Sequence, residues 1–233
     1  MICFLSLCIV KNFQPNEESL KKYQCPEWFR DAKFGIYCHW GPQCVPRAGD
    51  WYARNMYIQG HRQYKVHLEK FGHPSKVGYK DVIPLWKAEN FNADKLIEFF
   101  KKIGAKYTGP VAVHHDNFDL WDSQHQPRWN AVATGPKRDI VGLWKEAAEK
   151  HGLIFGCSTH ASRKYSWFQT SHHADKSGPM KDVPYDGNDP EYQDLYLQED
   201  EDDNFKAPLD PPDLWREHWK SRIKDLIDNY HPQ

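Results

Sequence analysis

The chain has 233 residues, with 31 Lys and Arg against 32 Asp and Glu, a formal net charge of -1. So even a balance lacks the clustered positive charge that a nucleic-acid partner demands. Aromatics reach 15%, with 10 Trp, which excludes a disordered polar chain despite a mean hydropathy of -0.84.

In chain order, the first feature is the apolar run 2–10 (ICFLSLCIV). It has the character of a secretory leader core but no preceding positive charge and no small-x-small cleavage site. Residues 1–25 are therefore read as a leader or extension, a signal remnant. No run approaches the roughly 20 apolar residues of a membrane helix, so no membrane partner is expected. Cys3, Cys8, Cys25, Cys38, Cys44 and Cys157 include no CxxC pair, which argues against structural zinc and for small buried hydrophobes.

Strand candidates follow at 34–39 (FGIYCH), 106–114 (KYTGPVAVH) and 153–159 (LIFGCST). Gly109 and Pro110 interrupt the second, so a bulge is expected there, or a start at Val111. Helical periodicity lies between and after them. Leu96, Phe99, Phe100 and Ile103 form one stripe, capped by Asn92 and stopped by Gly104. Ile140, Leu143, Trp144, Ala147, Ala148 and His151 form the second, between Asp139 and Gly152. Trp215, Trp219, Ile223, Leu226, Ile227 and Tyr230 form the third, between Asp213 and Pro232.

The order β-α-β-α-β-α predicts an α/β fold with three parallel strands and three main crossover helices. Helix-to-strand links are one or two residues, whereas the strand-to-helix links 40–92, 115–138 and 160–212 are long. All elaboration thus hangs on the carboxyl ends of the strands, where α/β sheets and barrels keep their sites. Within the last link, the acidic block Glu199, Asp200, Glu201, Asp202 and Asp203 lacks the Gly and spacing of a calcium loop and reads as a solvated loop.

Polar groups gather at those carboxyl ends. The first strand runs out at His39, the second at His114, His115 and Asp116, the third through Ser158 and Thr159 to His160. The first long link adds Asp50, Trp51 and Arg54. Taken singly each His is equally well a structural residue, but three at successive strand ends point to a shared site. Two chemistries fit. His39, His114, His115 and Asp116 could hold a divalent metal for hydrolysis. The same groups, interleaved with Trp, could bind a sugar, since neutral His both donates and accepts and indole covers the C–H face of a sugar ring.

Several motifs, in order and spacing, resemble one family. They are the stretch from Trp28 to Gly41 (WFRDAKFGIYCHWG), Asp50-Trp-Tyr-Ala-Arg54, Asn55-Met-Tyr57, His114-His-Asp116, Leu120-Trp-Asp122 and Gly135-Pro-Lys-Arg-Asp139. Together they resemble α-L-fucosidases of glycoside hydrolase family 29, over about residue 26 to the end. The resemblance implies a retaining exo-glycosidase that removes terminal α-L-fucose from glycans, with no metal and no cofactor. It implies residues 26–233 as the amino-terminal portion of a TIM-like (β/α) barrel, and a secreted, periplasmic or lysosomal location. A fucosylated glycan or glycoconjugate is the implied partner.

By position, His39, His114 and His115 match imidazoles that contact fucose hydroxyls, and Trp51 the indole that packs on the sugar. Asp50 stands where many members have Glu, and Val113 where relatives often carry Lys. Ser158 and Thr159 lie where relatives have pocket tyrosines, so His160 is expected to substitute. The substrate-binding set is thus His39, Asp50, Trp51, His114, His115 and His160. A retaining mechanism needs two carboxyl groups about 5 Å apart. The family's nucleophilic Asp follows the third helix, and no acid of this chain matches it or the acid/base Glu. The expected chain is therefore a partial catalytic barrel. A non-catalytic fucose-binding half-barrel and a metal-dependent barrel hydrolase are the alternatives.

Overall fold

The computed structural model describes residues 13–161, 163–200 and 211–233. The apolar run 2–10, with Cys3 and Cys8, and residues 201–203 of the acidic block lie outside these. The chain divides into two units, Met1–Lys33 and Phe34–Gln233. In the first, α1 (Glu17–Leu20) is capped by Asn16, whose side chain accepts from Ser19 N at 2.9 Å, and α2 (Glu27–Ala32) starts directly after Pro26.

The second unit is built on four parallel strands: β1 (Gly35–Cys38), β2 (Tyr107–Val113), β3 (Ile154–Phe155) and β4 (Ser158–Thr159). All the others pair with β2, β1 on one side and β3 and β4 on the other. The helices of the first long link are α3 (Tyr52–Asn55), α4 (Arg62–Lys70) and α5 (Tyr79–Val82). Then come α6 (Ala93–Lys102), α7 (Ile140–His151), α8 (Lys164–Trp167), α9 (Gln193–Tyr196) and α10 (Asp213–Tyr230). None of the described helices is long and apolar enough to cross a membrane.

The parallel α/β sheet matches the sequence expectation in class and order, with differences in detail. β2 runs unbroken through Gly109 and Pro110, and the register irregularity falls later, between Val111 and Val113. Pro110 is tolerated because it pairs with the last residue of β1 and faces the Gly156–Cys157 break between β3 and β4. Gly109 is needed for close approach: a Cβ there would lie 2.0 Å from the Gly156 carbonyl oxygen. The third predicted strand is thus two short strands hinged at Gly156–Cys157.

The helix signals hold at α6 and α7. Asn92 accepts from Lys95 N at 3.0 Å and Asp139 from Gly142 N at 2.8 Å, while Gly152 closes α7 in the left-handed region at φ 65°. The buried face of α6 is Ala93, Ile97 and Phe100, whereas Phe99 and Ile103 of the predicted stripe are exposed. The α6 sequence is apolar over more than one face, and the half that carries Ile97 is the buried one, on a helix that packs against α7. In α10 the buried positions are Arg222, Asp225, Leu226 and Tyr230, so half of the buried positions are polar residues outside the expected apolar stripe; Ile227 of that stripe is exposed. Asp213 is the first residue of the helix, and His231 ends it ahead of Pro232.

Those polar residues dock α10 by hydrogen bonds. Arg222 Nε donates to Asp119 Oδ2 at 3.0 Å, a second guanidinium nitrogen reaches Asp119 Oδ1, and Nη1 donates to Asn117 Oδ1 at 2.6 Å. Lys164 Nζ, fully buried, donates to the same Asn117 Oδ1 at 2.9 Å. Burial and the Arg222 charge together push the Lys164 amine well below its ordinary range. Trp121 Nε1 donates to Asp225 at 2.8 Å and Tyr230 OH to Asp139 at 2.6 Å.

The cysteines depart from expectation. Cys25 and Cys44 are exposed, Cys38 and Cys157 are half-buried, and all four are free thiols. The acidic block is held at Asp200, which accepts from Tyr165 OH at 2.8 Å and donates its N–H to Gln169 Oε1 at 2.8 Å.

Removing one partner of a buried, bidentate ion pair strands the other charge. Arg222→Ala should therefore lower unfolding free energy by about 3–5 kcal/mol, read from urea denaturation, because Asp119 is left buried without its guanidinium.

Candidate active site

The carboxyl ends of the strands bring four imidazoles together. His39 follows β1, His114 and His115 follow β2, and His160 follows β4. His160 is fixed by its own backbone, whose N–H donates to Val113 O at 2.8 Å. Ring centroids of His39 and His114 lie 4.3 Å apart, those of His114 and His115 4.7 Å, and those of His114 and His160 5.6 Å. One ligating atom from each of His39, His114 and His160 falls within 4.8 Å of the others.

Asp50 joins this cluster from the first long link. Its Oδ1 lies 3.3 Å from His39 Nδ1 and its Oδ2 4.0 Å from His114 Nε2. The turn before it is held by α4, where Gln63 Nε2 donates to Gly49 O at 3.0 Å. Gly49 itself has φ 112°, a conformation that suits glycine. Trp51 follows at the start of α3 and is 40% exposed.

Three neighbours were not in the predicted set. Tyr37 OH lies 3.1 Å from His160 Nε2. Gln43 Nε2 lies 3.4 Å from His39 Nε2. The Trp167 ring meets His114 edge-on at 5.9 Å and inclines over His115 at 5.7 Å. The period of two along β1 puts Tyr37 on the face of His39, so that contact was legible. Nothing in the local sequence marks Trp167, which arrives on α8 from the far end of the chain.

Asp116 does not face the cluster. It is fully buried, accepts from Tyr79 OH at 2.6 Å and Phe118 N at 3.4 Å, and burial pushes its carboxyl up to about 6. The metal set His39, His114, His115 and Asp116 is thereby corrected: the imidazole that groups with His39 and His114 is His160. Among the described residues, Asp50 is the carboxylate that reaches the imidazoles.

Burial favours the neutral form of His39, His114 and His115. His114 is pushed down to about 2 by desolvation and then by His115, His39 and His160. His115 is pushed down to about 4 by desolvation and then by His160 and Arg163. His39 is lowered by burial, opposed by Asp50. Several buried polar atoms here have no protein partner: His114 Nδ1, His115 Nδ1, Ser158 Oγ, Trp167 Nε1 and Gln43 Oε1. Buried polar groups are normally paired, so this concentration of donors and acceptors is suited to a polar, multi-hydroxyl ligand. A cleft of about 690 Å³ opens beside His39 along Trp40, Trp86, Phe91 and Trp144. It shares only His39 with the cluster.

The family profile described as alpha-L-fucosidase matches residues 7–233. The chain belongs to the alpha-L-fucosidase family. It is 41% identical to human plasma alpha-L-fucosidase over 133 residues, covering 55% of this chain and 28% of that protein. It is 31% identical to the Branchiostoma floridae alpha-L-fucosidase over 173 residues, covering 74% of this chain and 37% of that protein. The structure of Thermotoga maritima alpha-fucosidase in complex with fucose superposes with a TM-score of 0.70 at 27% identity. That match covers 95% of this chain and 48% of the other. The chain spans about a third of the length of these curated relatives and about half of the Thermotoga chain.

A group buried neutral must charge when acid unfolds the protein. His114 and His115 have folded values below the ordinary 6.5, so the stability they contribute is present above pH 6.5 and is lost as pH falls below it, toward about 4 for His115 and about 2 for His114. Asp116, raised to about 6, works in the opposite direction over the same interval. Thermal melting across this range should show stability falling with acid, and His115→Gln should make that fall shallower.

Proposed function

We propose that this chain supplies the sugar-binding face of a retaining exo-α-L-fucosidase, hydrolysing terminal α-L-fucose of glycans. The observation that carries the reading is the convergence of His39, His114, His115 and His160 at the strand ends, with His114 Nδ1 and His115 Nδ1 buried and without a protein partner. A neutral imidazole offers one donor and one acceptor, which is what a ring of vicinal hydroxyls requires. Asp50 lies beside His39 and can accept a hydrogen bond from a hydroxyl, and the exposed Trp51 offers an indole face to the C–H side of a sugar.

The chemical step needs more than this cluster provides. A nucleophilic carboxylate and an acid/base carboxyl about 5 Å apart are required. Asp50 is one group, 3.3 Å from His39 Nδ1, and Asp116 is turned to Tyr79. We therefore assign residues 34–233 to substrate recognition and place the two catalytic carboxyls outside this chain's described residues. The reading extends residues 26–233 as a partial (β/α) barrel domain and a fucosylated glycoconjugate as its ligand.

Two measurements test it. Calorimetric titration with L-fucose should show saturable binding that weakens about tenfold or more in His114→Ala, the scale of losing one buried hydrogen bond. Purified 1–233 should leave an aryl α-L-fucoside unhydrolysed. Binding that is indifferent to His114→Ala removes the sugar assignment, and robust hydrolysis removes the assignment to recognition alone.

A further inference from the structure

The three-histidine group has a second chemistry besides sugar binding. Its imidazoles come from three separate strand ends, so their spacing is set by the sheet and not by one mobile loop. One ligating atom from each lies within 4.8 Å of the other two. Nitrogen ligands of a tetrahedral zinc ion at 2.0–2.1 Å stand about 3.4 Å from each other, so roughly an ångström of ring rotation closes the set.

The surroundings are those of a metal-binding imidazole cluster. Asp50 Oδ1 at 3.3 Å from His39 Nδ1 makes the carboxylate–histidine pair that orients a ring and raises its basicity. Tyr37 OH at 3.1 Å orients His160. His114 is buried with Nδ1 unpartnered. All the donor atoms are imidazole nitrogens, which favours late divalent ions over magnesium or calcium. Three protein ligands leave a fourth position open.

We infer that His39, His114 and His160 form a binding site for a zinc-class divalent ion, and that such an ion competes with the sugar for the same imidazoles. The competition rests on the sugar assignment above; the ion site does not. It also goes beyond the family resemblance, which implies no metal.

Cobalt(II) is the probe, since four-coordinate cobalt gives intense visible bands. Chelator-treated 1–233 should bind one equivalent with that spectrum. His160→Ala and His39→Ala should abolish it, and His151→Ala, at the end of α7, should leave it unchanged. Asp50→Asn, which removes only the orienting carboxylate at a half-exposed side chain, should weaken binding about 10–100-fold and keeps the test intact if a histidine variant fails to fold. Absence of the four-coordinate spectrum, or its survival in His160→Ala, overturns the ion site. L-fucose should weaken cobalt binding. A cobalt affinity that bound L-fucose leaves unmoved overturns the competition and counts against the sugar assignment, with the ion site standing.

Discussion

Pairing with β2 is the constraint on which the rest depends. Because β1, β3 and β4 all run parallel to it, the residues that leave each strand emerge on one side. The third strand alone would stop at Phe155. The break at Gly156–Cys157 lets the chain resume as β4 opposite Val111 and Val113, and His160 N then bonds Val113 O at 2.8 Å. The Gly109 backbone, with no Cβ, lets the break approach so closely. A glycine and a proline that looked like an interruption are what align the third imidazole with the second.

The long links explain how so polar a chain folds. Their interior is joined by tyrosine hydroxyls on buried carboxylates. Asp186 accepts from Tyr57 at 2.7 Å and Tyr196 at 2.5 Å; Asp175 accepts from Tyr64 at 2.7 Å and Tyr185 at 2.6 Å. Such charge-assisted bonds are stronger than neutral ones, and here they tie the link after β1 to the link after β4. Arg54 adds to the same seam, donating to Trp167 O at 2.7 Å. The two segments therefore act as one layer over the strand ends. Asp50 comes from one and Trp167 from the other.

This bears on how much could be read without a structure. Asn92, Asp139 and Gly152 act as caps and stops because those signals are local. Strand order and the positions of His39, His114 and His160 were equally local. The direction of Asp116 was not, since it depends on Tyr79 in another link. Nor was the burial of Arg222 and Asp225 in α10, since an apolar stripe gives no hint that Asp119 and Trp121 wait opposite. Periodicity reports which face of a helix is apolar, but charge pairs across a core are written in distant parts of the chain.

Burial first, and crowding after it, set the protonation of His114 and His115. Imidazolium rings at 4.3 and 4.7 Å would repel one another in a poorly solvated pocket, so His114 and His115 titrate only well into acid. Neutrality makes each ring one donor and one acceptor. Asp50 at His39 Nδ1 biases that ring to carry its proton there and to present Nε2 as the acceptor. The cluster is therefore a set of oriented lone pairs and N–H groups with little charge. A fixed positive field would draw anions; this arrangement instead matches neutral hydroxyls, and imidazole lone pairs are of the kind that suit a borderline divalent ion.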